Sequence, residues 1–293
     1  MKNQVLEHQF GDLLYVPLFL TESLLPYRGT HQSFTRAYQN TDITIQGGAD
    51  RTGLIPLPTG IIGRRLLLHF ITQSWLEGSP EIKIRGASTL LTQFGIKHSH
   101  ASKKNLKRQL YSLSMMMIRV RSHSTFDKAD TEPFKVSNIR LMDSLNIYGI
   151  DEAPNQMCLF DSTVSFSPEF FDLLCELRQN HPPILRGALY GLNGPLQMDI
   201  YCFLQRRLQN ENLMLKYGGQ KLSWDNLYQQ FGRGERKQDF QKMFRAALSK
   251  VLPALKTKSV RFADNQPVRV LKDGIVLNSI PRQVEPVLHV PNK

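Results

Sequence analysis

Cationic side chains dominate one long stretch of this sequence. No Asp or Glu occurs between Glu81 and Asp127. The Lys and Arg residues that we select there as candidate ligand-binding groups are Lys97, Lys103, Lys104, Lys107, Arg108, Arg119 and Arg121. Cations neutralise phosphates and release condensed counterions, which provides most of the non-specific affinity for nucleic acid. The stretch therefore predicts a polyanionic partner.

A second group of polar side chains lies nearer the C-terminus and mixes cations with glutamines. Its members are Arg233, Arg236, Lys237, Gln238, Gln241, Lys242 and Arg245. Arg and Gln can each form two hydrogen bonds with guanine or adenine edges in the major groove. We therefore predict that the first group mainly contacts phosphates and that the second contacts bases of double-stranded DNA.

The alternative for each group is a solvated helix face, which is the usual reason for a Lys/Arg pattern. Three features favour phosphate contact for the first group. The acid-free stretch is long, its cations flank a short helix and a tight turn, and the following strand adds Arg119 and Arg121.

A catalytic chemistry has weaker support. His98-Ser99-His100 resembles the metal-binding pair of nucleases that nick DNA with a catalytic Tyr, but those enzymes place the pair on an apolar strand, and here it lies in a polar turn. The sequence contains no P-loop, GxSxG or HExxH motif. We expect a protein that is not an enzyme, with no cofactor and no metal site, and a nickase remains the less favoured alternative.

The composition agrees with a nucleic-acid-binding protein of two domains. The formal net charge is +12, and 293 residues can form about two domains of 100–150 residues. The three cysteines are widely spaced, which is typical of a reducing cytoplasm. The N-terminus lacks the pattern of a signal peptide, and no apolar run is long enough to span a bilayer. We expect a bacterial cytoplasmic location and no membrane partner.

Residues 1–58 are predicted to form an arm with little regular structure apart from a strand at Ile43–Ile45. The elements that position the first group of cations come after this arm. The predicted elements are a buried helix (Gly60–Trp75), a strand (Glu81–Arg85), helices at Ser88–Phe94 and Ala101–Met116, a strand (Met117–Ser122) and a wing (122–133). The second helix of the pair has a predicted buried stripe of Leu106, Leu110, Leu113 and Met117.

A similar order is predicted around the second group. It comprises helices at Pro195–Leu208, Trp224–Phe231 and Gly234–Leu252, then strands at Ser259–Phe262, Val268–Leu271 and Ile275–Leu277. Helix, strand, helix–turn–helix and hairpin is the order of a winged-helix domain. The predicted fold is α+β, with two tandem winged-helix domains, residues 59–180 and 181–293, after the arm.

Several segments together resemble the RepA-type plasmid replication initiators. These are Leu57–Gly60 followed by Arg64–Leu68, then Phe94-Gly95, Leu159–Phe171, Leu196–Leu208, Leu222–Gly232, Phe240–Val251 and Gly274–Leu277. The sequence departs from the family pattern at Met198 before Asp199, at Cys202-Phe203, and after the last strand.

The resemblance implies two winged-helix domains that bind repeated sequences, or iterons, at a plasmid origin. It also implies melting of a nearby AT-rich region, recruitment of host replication proteins including the replicative helicase, and homodimers that repress the initiator's own gene. A transcriptional repressor with the same domains is the alternative that the residues do not separate from an initiator. On this chain the helix pair Trp224–Leu252 would select the site, and Ser88–Met116 would bind phosphates.

Overall fold

The computed structural model describes residues 12–16, 25–38, 41–84, 86–122, 135–147, 162–176, 184–209, 220–255 and 268–277. The chain divides into two compact units, an N-terminal unit, Met1–Asp199, and a C-terminal unit, Ile200–Lys293. The division falls within one helix. The domain boundary at residue 180 stays a prediction.

The described elements alternate between helix and strand. The helices are α1 (Gly60–Glu77), α2 (Ala87–Gln93), α3 (His100–Ser114), α4 (Pro168–Glu176), α5 (Arg186–Tyr190), α6 (Pro195–Gln209), α7 (Trp224–Phe231) and α8 (Lys237–Leu255). The strands are β1 (Leu13–Leu14), β2 (Ser33–Tyr38), β3 (Thr41–Gln46), β4 (Ala49–Asp50), β5 (Gly53–Leu54), β6 (Glu81–Ile84), β7 (Met117–Ser122), β8 (Lys135–Arg140), β9 (Met142–Asn146), β10 (Ser162–Phe166), β11 (Ile184–Leu185), β12 (Gln220–Ser223), β13 (Val268–Val270) and β14 (Gly274–Leu277).

The N-terminal unit is built around α1, the helix that the sequence predicts to be buried. Leu66, Phe70 and Ile71 are almost fully enclosed. The helix ends at Gly78, whose φ of 62° is the left-handed conformation that glycine adopts without steric cost. After α1 come β6, α2 and α3, and β6 joins a sheet in the order β6-β10-β9. Ile82, Met142 and Val164 of this sheet belong to the buried core of the unit.

The arm expected over residues 1–58 contains more regular structure than the sequence suggests. The predicted strand at Ile43–Ile45 is confirmed within β3, but β3 also pairs with β2 and with β7, in a four-stranded sheet of order β2-β3-β7-β8. Ile43 and Ile45 lie on the buried side of this sheet. The pairing was not predictable locally because the partner strand lies about seventy residues further along the chain.

The strand Met117–Ser122 is confirmed as β7, and its antiparallel pairing with β8 confirms a hairpin after the helix pair. It pairs with β3 and β8, whereas the partners of β6 are β10 and β9. The predicted wing loop lies mostly outside the described residues. Met117 also leaves the predicted buried stripe: α3 ends at Ser114, so Met116 is buried and Met117 faces outward, 37% exposed.

A buried ion pair joins α1 to the first turns of α6. The guanidinium of Arg64 binds the Asp199 carboxylate through two parallel hydrogen bonds, Nε to Oδ1 and Nη2 to Oδ2, each 2.8 Å. The two side chains are 5% and 10% exposed. Arg64 also donates to the carbonyls of Leu25, Pro26 and Gly60. The forked geometry of Arg satisfies this arrangement, and Lys could not reproduce it.

Two further polar residues of α1 are buried where the sequence predicts an apolar helix. Arg65 donates to the carbonyls of Phe94, Tyr190 and Leu192. His69 packs edge-on against Phe94, with ring centroids 5.8 Å apart. Burial, reinforced by the charge of Arg186, lowers the pKa of His69 to about 4.

We expect this histidine to make the N-terminal unit sensitive to acid. An unfolded His binds its proton near pH 6.5, whereas His69 resists it until about pH 4. Its contribution is therefore fully present above pH 6.5 and is lost as the pH falls toward 4, by up to about 3 kcal/mol. Hydrogen exchange of α1 peptides at several pH values should show this loss in the wild type and a smaller one in His69→Gln. Equal losses in both proteins would contradict the assignment.

The C-terminal unit has the order helix, strand, helix, helix, strand, strand, with α6, β12, α7, α8, β13 and β14. The N-terminal unit has the same order from α1 to β10, with β7 and β8 inserted before β9. The sheet order of the C-terminal unit is β12-β14-β13, which matches β6-β10-β9 of the N-terminal unit position for position. The core is aromatic: Phe231 lies edge-on to Phe203 and Phe244, and Phe240 packs on Phe244. The predicted helix at Trp224–Phe231 is confirmed, and the predicted strand at Ser259–Phe262 lies outside the described residues.

Candidate nucleic-acid interface

The first basic face lies on α3 and is set by the apolar residues opposite it. Leu106, Leu110 and Leu113 are 0–1% exposed, which turns Lys104 and Lys107 outward. Ser99 begins the helix, and its hydroxyl accepts a hydrogen bond from the Ser102 amide at 3.0 Å. The sequence predicts this helix and its buried leucines correctly, apart from its last turn.

The cations of α3 differ in how they are held. Lys104 is exposed and makes no hydrogen bond or ion pair with any residue that the structure describes. Arg108 donates to Asn105 on the same face, at 2.9 Å. Lys103 is half-buried, and Lys107 is exposed. Lys97 is exposed in the turn before Ser99. This face can therefore meet phosphates with little rearrangement, since exposed pairs contribute at most about 1 kcal/mol.

The histidines of the HxH motif have different surroundings. His98 Nε2 lies 2.9 Å from the Thr92 hydroxyl, and His100 begins α3. Among the described residues, no three His, Cys, Asp or Glu side chains come together in a way that could hold a metal ion.

The two arginines of β7 lie on the outer face of the four-stranded sheet rather than on the helix. Arg119 Nε donates to Asn138 Oδ1 at 2.8 Å. Arg121 stands directly across from Asp42 on β3, close enough for their charges to interact. The N-terminal strands thus bring an acid beside a stretch whose own sequence has none. The structure does not place these arginines on the α3 face.

The second candidate surface lies on α8, which follows α7 after a short turn. Ser223 caps α7, and Gly232 permits the tight turn because a Cβ there would lie 2.5 Å from the Tyr228 carbonyl. Phe240, Phe244 and Val251 are fully buried. The helix begins at Lys237 and not at Gly234 as predicted, and it continues through Pro253 to Leu255.

Three polar side chains of α8 are candidates for base contacts: Gln238, Gln241 and Lys242. Gln238 and Lys242 are exposed, and Gln241 is half-buried. Within the part of the chain that the structure describes, none of these three side chains makes a hydrogen bond or an ion pair. Polar groups that are not committed to the protein are available to bases.

Two cations around the start of α8 form ion pairs on the surface. Arg236 binds Asp239 at 3.2 Å, and Lys237 forms an ion pair with Asp225 of α7. The amide of Arg233 donates to Glu235 Oε2 at 2.7 Å. Such exposed ion pairs are weak, so phosphate can replace the carboxylate.

Arg245 has an internal role that the sequence does not reveal. Its guanidinium lies over the Trp224 ring, 4.8 Å from the centroid, and Nη2 donates to the Leu271 carbonyl at 3.2 Å. The Trp224 indole donates to the neighbouring Lys272 carbonyl at 3.1 Å. The two residues together fix the β13–β14 turn to the helix pair. A base contact by Arg245 stays a prediction.

The β13–β14 hairpin carries two cations that the sequence-based selection missed. Arg269 and Lys272 are exposed, and Val270 between them is 40% exposed. Lys221 binds Asp273 at 2.5 Å and fixes the turn. Their place in the hairpin that follows α8 was a usable signal, because a wing of this kind lies beside the helix pair.

Residues 84–226 match the family model described as "Plasmid encoded RepA protein". The match runs from β6 into α7 and so includes the basic face of α3. No curated protein sequence is significantly similar to the chain.

One solved structure of low sequence identity shares the fold, and a second aligns less well. A crystal structure of domains 2 and 3 of RctB aligns with a TM-score of 0.55 at 14% identity, covering 92% of this chain and 97% of that one. A second structure of RctB domains 2–3 aligns with a TM-score of 0.49 at 13% identity, covering 88% and 94%. At such low identity the first likeness shows a shared mixed helix-and-sheet fold. No helix among the described residues is long and apolar enough to cross a membrane.

Proposed function

We propose that this chain initiates plasmid replication by binding origin DNA through two winged helices. The match of residues 84–226 to the family model of plasmid-encoded RepA proteins agrees with the resemblance seen in the sequence and supports this proposal. The observation that carries the proposal is the repeated order of elements. Each unit presents a helix pair beside a sheet in which the first strand pairs with the last. That order is the winged-helix order, and the second helix of such a pair enters the major groove.

The two helix pairs divide the binding between them. α3 offers Lys104, Lys107 and Arg108, which suit phosphates and therefore affinity for any sequence. α8 offers Gln238 and Gln241, whose amides can bond adenine edges and therefore select a sequence. Arg269 and Lys272 of the β13–β14 hairpin add phosphate contacts beside α8. Repeated origin sequences are the sites that these contacts would recognise.

The further steps of initiation follow from binding rather than from catalysis. Binding to a row of repeats would promote melting of an adjacent AT-rich segment and recruit host replication proteins, including the replicative helicase. Homodimers would repress the chain's own gene. These events would take place in the bacterial cytoplasm, where the plasmid resides, without a cofactor.

Footprinting the purified protein on DNA that flanks its own gene tests the proposal. We expect protection of several direct repeats at regular spacing beside an AT-rich stretch, with permanganate reactivity in that stretch. Protection of a single site that overlaps the promoter, without melting, would instead indicate a repressor.

The same DNA serves to test for catalysis. Supercoiled origin plasmid incubated with the protein and Mg²⁺ or Mn²⁺ should stay supercoiled, and ATP should not be hydrolysed. A covalent adduct between a tyrosine and the DNA would overturn the proposal in favour of a nickase.

A further inference from the structure

The β4–β5 hairpin, residues Ala49–Leu54, is a surface element beside α3 with no assigned role. Arg51 at its turn is exposed, and Leu54 at its end is 60% exposed, more than any other large apolar residue that the structure describes. An exposed cation next to an exposed apolar side chain could bind a partner whose surface has phosphate groups beside apolar groups.

A hydrogen bond fastens this hairpin to the basic face of α3. The Tyr111 hydroxyl donates to Asp50 Oδ2 at 2.6 Å. Lys107 follows Lys104 by three residues and Tyr111 follows Lys107 by four, so the three share one helix face. The basic face of α3 therefore leads directly to the hairpin.

The hairpin is also rigid at its base and at its turn. A Cβ on Gly47 would lie 2.1 Å from the Ile55 carbonyl, so the two strands approach as closely as only glycine allows. The Ile55 amide donates to the Gly48 carbonyl at 2.9 Å. At the turn, Asp50 Oδ1 accepts from the amide and the hydroxyl of Thr52, at 2.7 and 2.6 Å. Arg51 is thus presented on a preformed turn.

The carboxylate of Asp50 is occupied by hydrogen bonds from Thr52 and Tyr111. Hydrogen bonds from Thr52 and then from Tyr111 lower the pKa of Asp50, and the bond to Asp50 raises the pKa of Tyr111. The carboxylate is therefore ionised at neutral pH with both oxygens occupied. Its role is to hold the turn and the contact with α3.

We propose that this hairpin is an additional DNA-binding element, in which Arg51 binds a backbone phosphate next to those held by α3 and Leu54 packs against the sugars of the same groove. The inference rests on the proposed function. Duplex DNA is favoured over a protein partner because the hairpin continues a basic face, and because six residues are too few for a stable protein interface, which buries about 800 Å² on each side. Tyr111 is a positioning residue.

The test measures binding of the full chain to a random-sequence duplex by fluorescence anisotropy over a range of salt concentrations. Arg51→Ala should flatten the slope of log K against log salt by about 0.9, the value for one lost phosphate contact. Leu54→Ser should weaken binding about fivefold without changing the slope. Lys250→Ala, which removes a charge from the side of α8 turned away from Gln241, should change neither.

The variant Tyr111→Phe tests whether Tyr111 positions the hairpin for binding or only stabilises the fold. It keeps the ring, removes the bond to Asp50 and should weaken binding about two- to tenfold. In its presence Arg51→Ala should have a smaller effect than in the wild type, because the turn is no longer held against α3. Purely additive effects would overturn the positioning role.

The outcomes distinguish this inference from the function on which it rests. An unchanged salt slope in Arg51→Ala, or unchanged affinity in Leu54→Ser, overturns the hairpin contact while the α3 variants still report DNA binding. Salt-independent binding by the wild type would overturn the proposed function itself.

Discussion

Asp199→Ala is expected to destabilise the N-terminal unit by about 3–5 kcal/mol, because it leaves the buried guanidinium of Arg64 without its carboxylate. The remaining bonds from Arg64 go to carbonyl oxygens, which carry no compensating charge. Hydrogen exchange of α1 peptides measures the effect within this unit. Asp199→Asn keeps the shape of the side chain and one acceptor oxygen, so it should lower the stability of the unit by less.

Two controls sharpen the comparison. Arg140→Ala breaks a 3.9 Å pair with Asp143 whose side chains are more than 60% exposed, and it should cost less than about 1 kcal/mol. The double change Arg64→Met with Asp199→Leu removes both charges and should be milder than Asp199→Ala alone. If Arg140→Ala and Asp199→Ala had equal effects, the buried pair would not be a main source of stability.

Replacing Lys104, Lys107 and Arg108 together by Ala is expected to weaken DNA binding about 100-fold at physiological salt, on specific and random duplexes alike. The salt slope should flatten by about 2.7, or about 0.9 for each lost phosphate contact. The fold should survive, because the three side chains point away from Leu106, Leu110 and Leu113.

Substitutions on α8 should weaken binding to the specific site more than binding to random duplex. Gln238→Ala or Gln241→Ala should cost about 1–3 kcal/mol on the specific site if it removes a two-bond base contact, and much less on random duplex. Equal proportional losses on both duplexes, for α3 and α8 variants, would refute the division between affinity and sequence selection.

Local patterns predicted the helices well and the long-range pairing poorly. The spacing of Phe240, Phe244 and Val251 predicts α8, and Ser223 before Trp224 predicts the start of α7, because both depend on neighbours in sequence. The sequence predicts β7 as a strand but not its pairing with β3, because nothing near Met117 encodes that partner. Sheet partners are decided by packing between distant segments.

In the candidate site, too, the sequence predicts features that depend on neighbouring residues but not contacts between distant ones. Charge and helix spacing predict that Lys104 and Lys107 face solvent. They do not predict that Asp42 stands across from Arg121, or that Arg245 binds the Leu271 carbonyl. Arg64 and Arg65 are the clearest case. The apolar pattern of their helix does not reveal two buried guanidinium groups, because nearly all of their acceptors lie far away in sequence, at residues 25, 26, 94, 190, 192 and 199.

Because the N-terminal strands pair with segments far along the chain, they cannot complete their sheets until those segments have been synthesised on the ribosome. β3 must wait for β7, and Leu13 of β1 must wait for Leu185 of β11, about 170 residues later. At synthesis rates of about 5–20 residues per second, the delay is roughly 4–15 s for β3 and roughly 10–30 s for β1. Until β7 is made, the β2–β3 hairpin has an open edge carrying Ile43 and Ile45, the kind of edge to which other chains can add. Rapid overexpression should therefore favour aggregation of nascent chains, and slower synthesis or abundant chaperones should improve the yield of native protein.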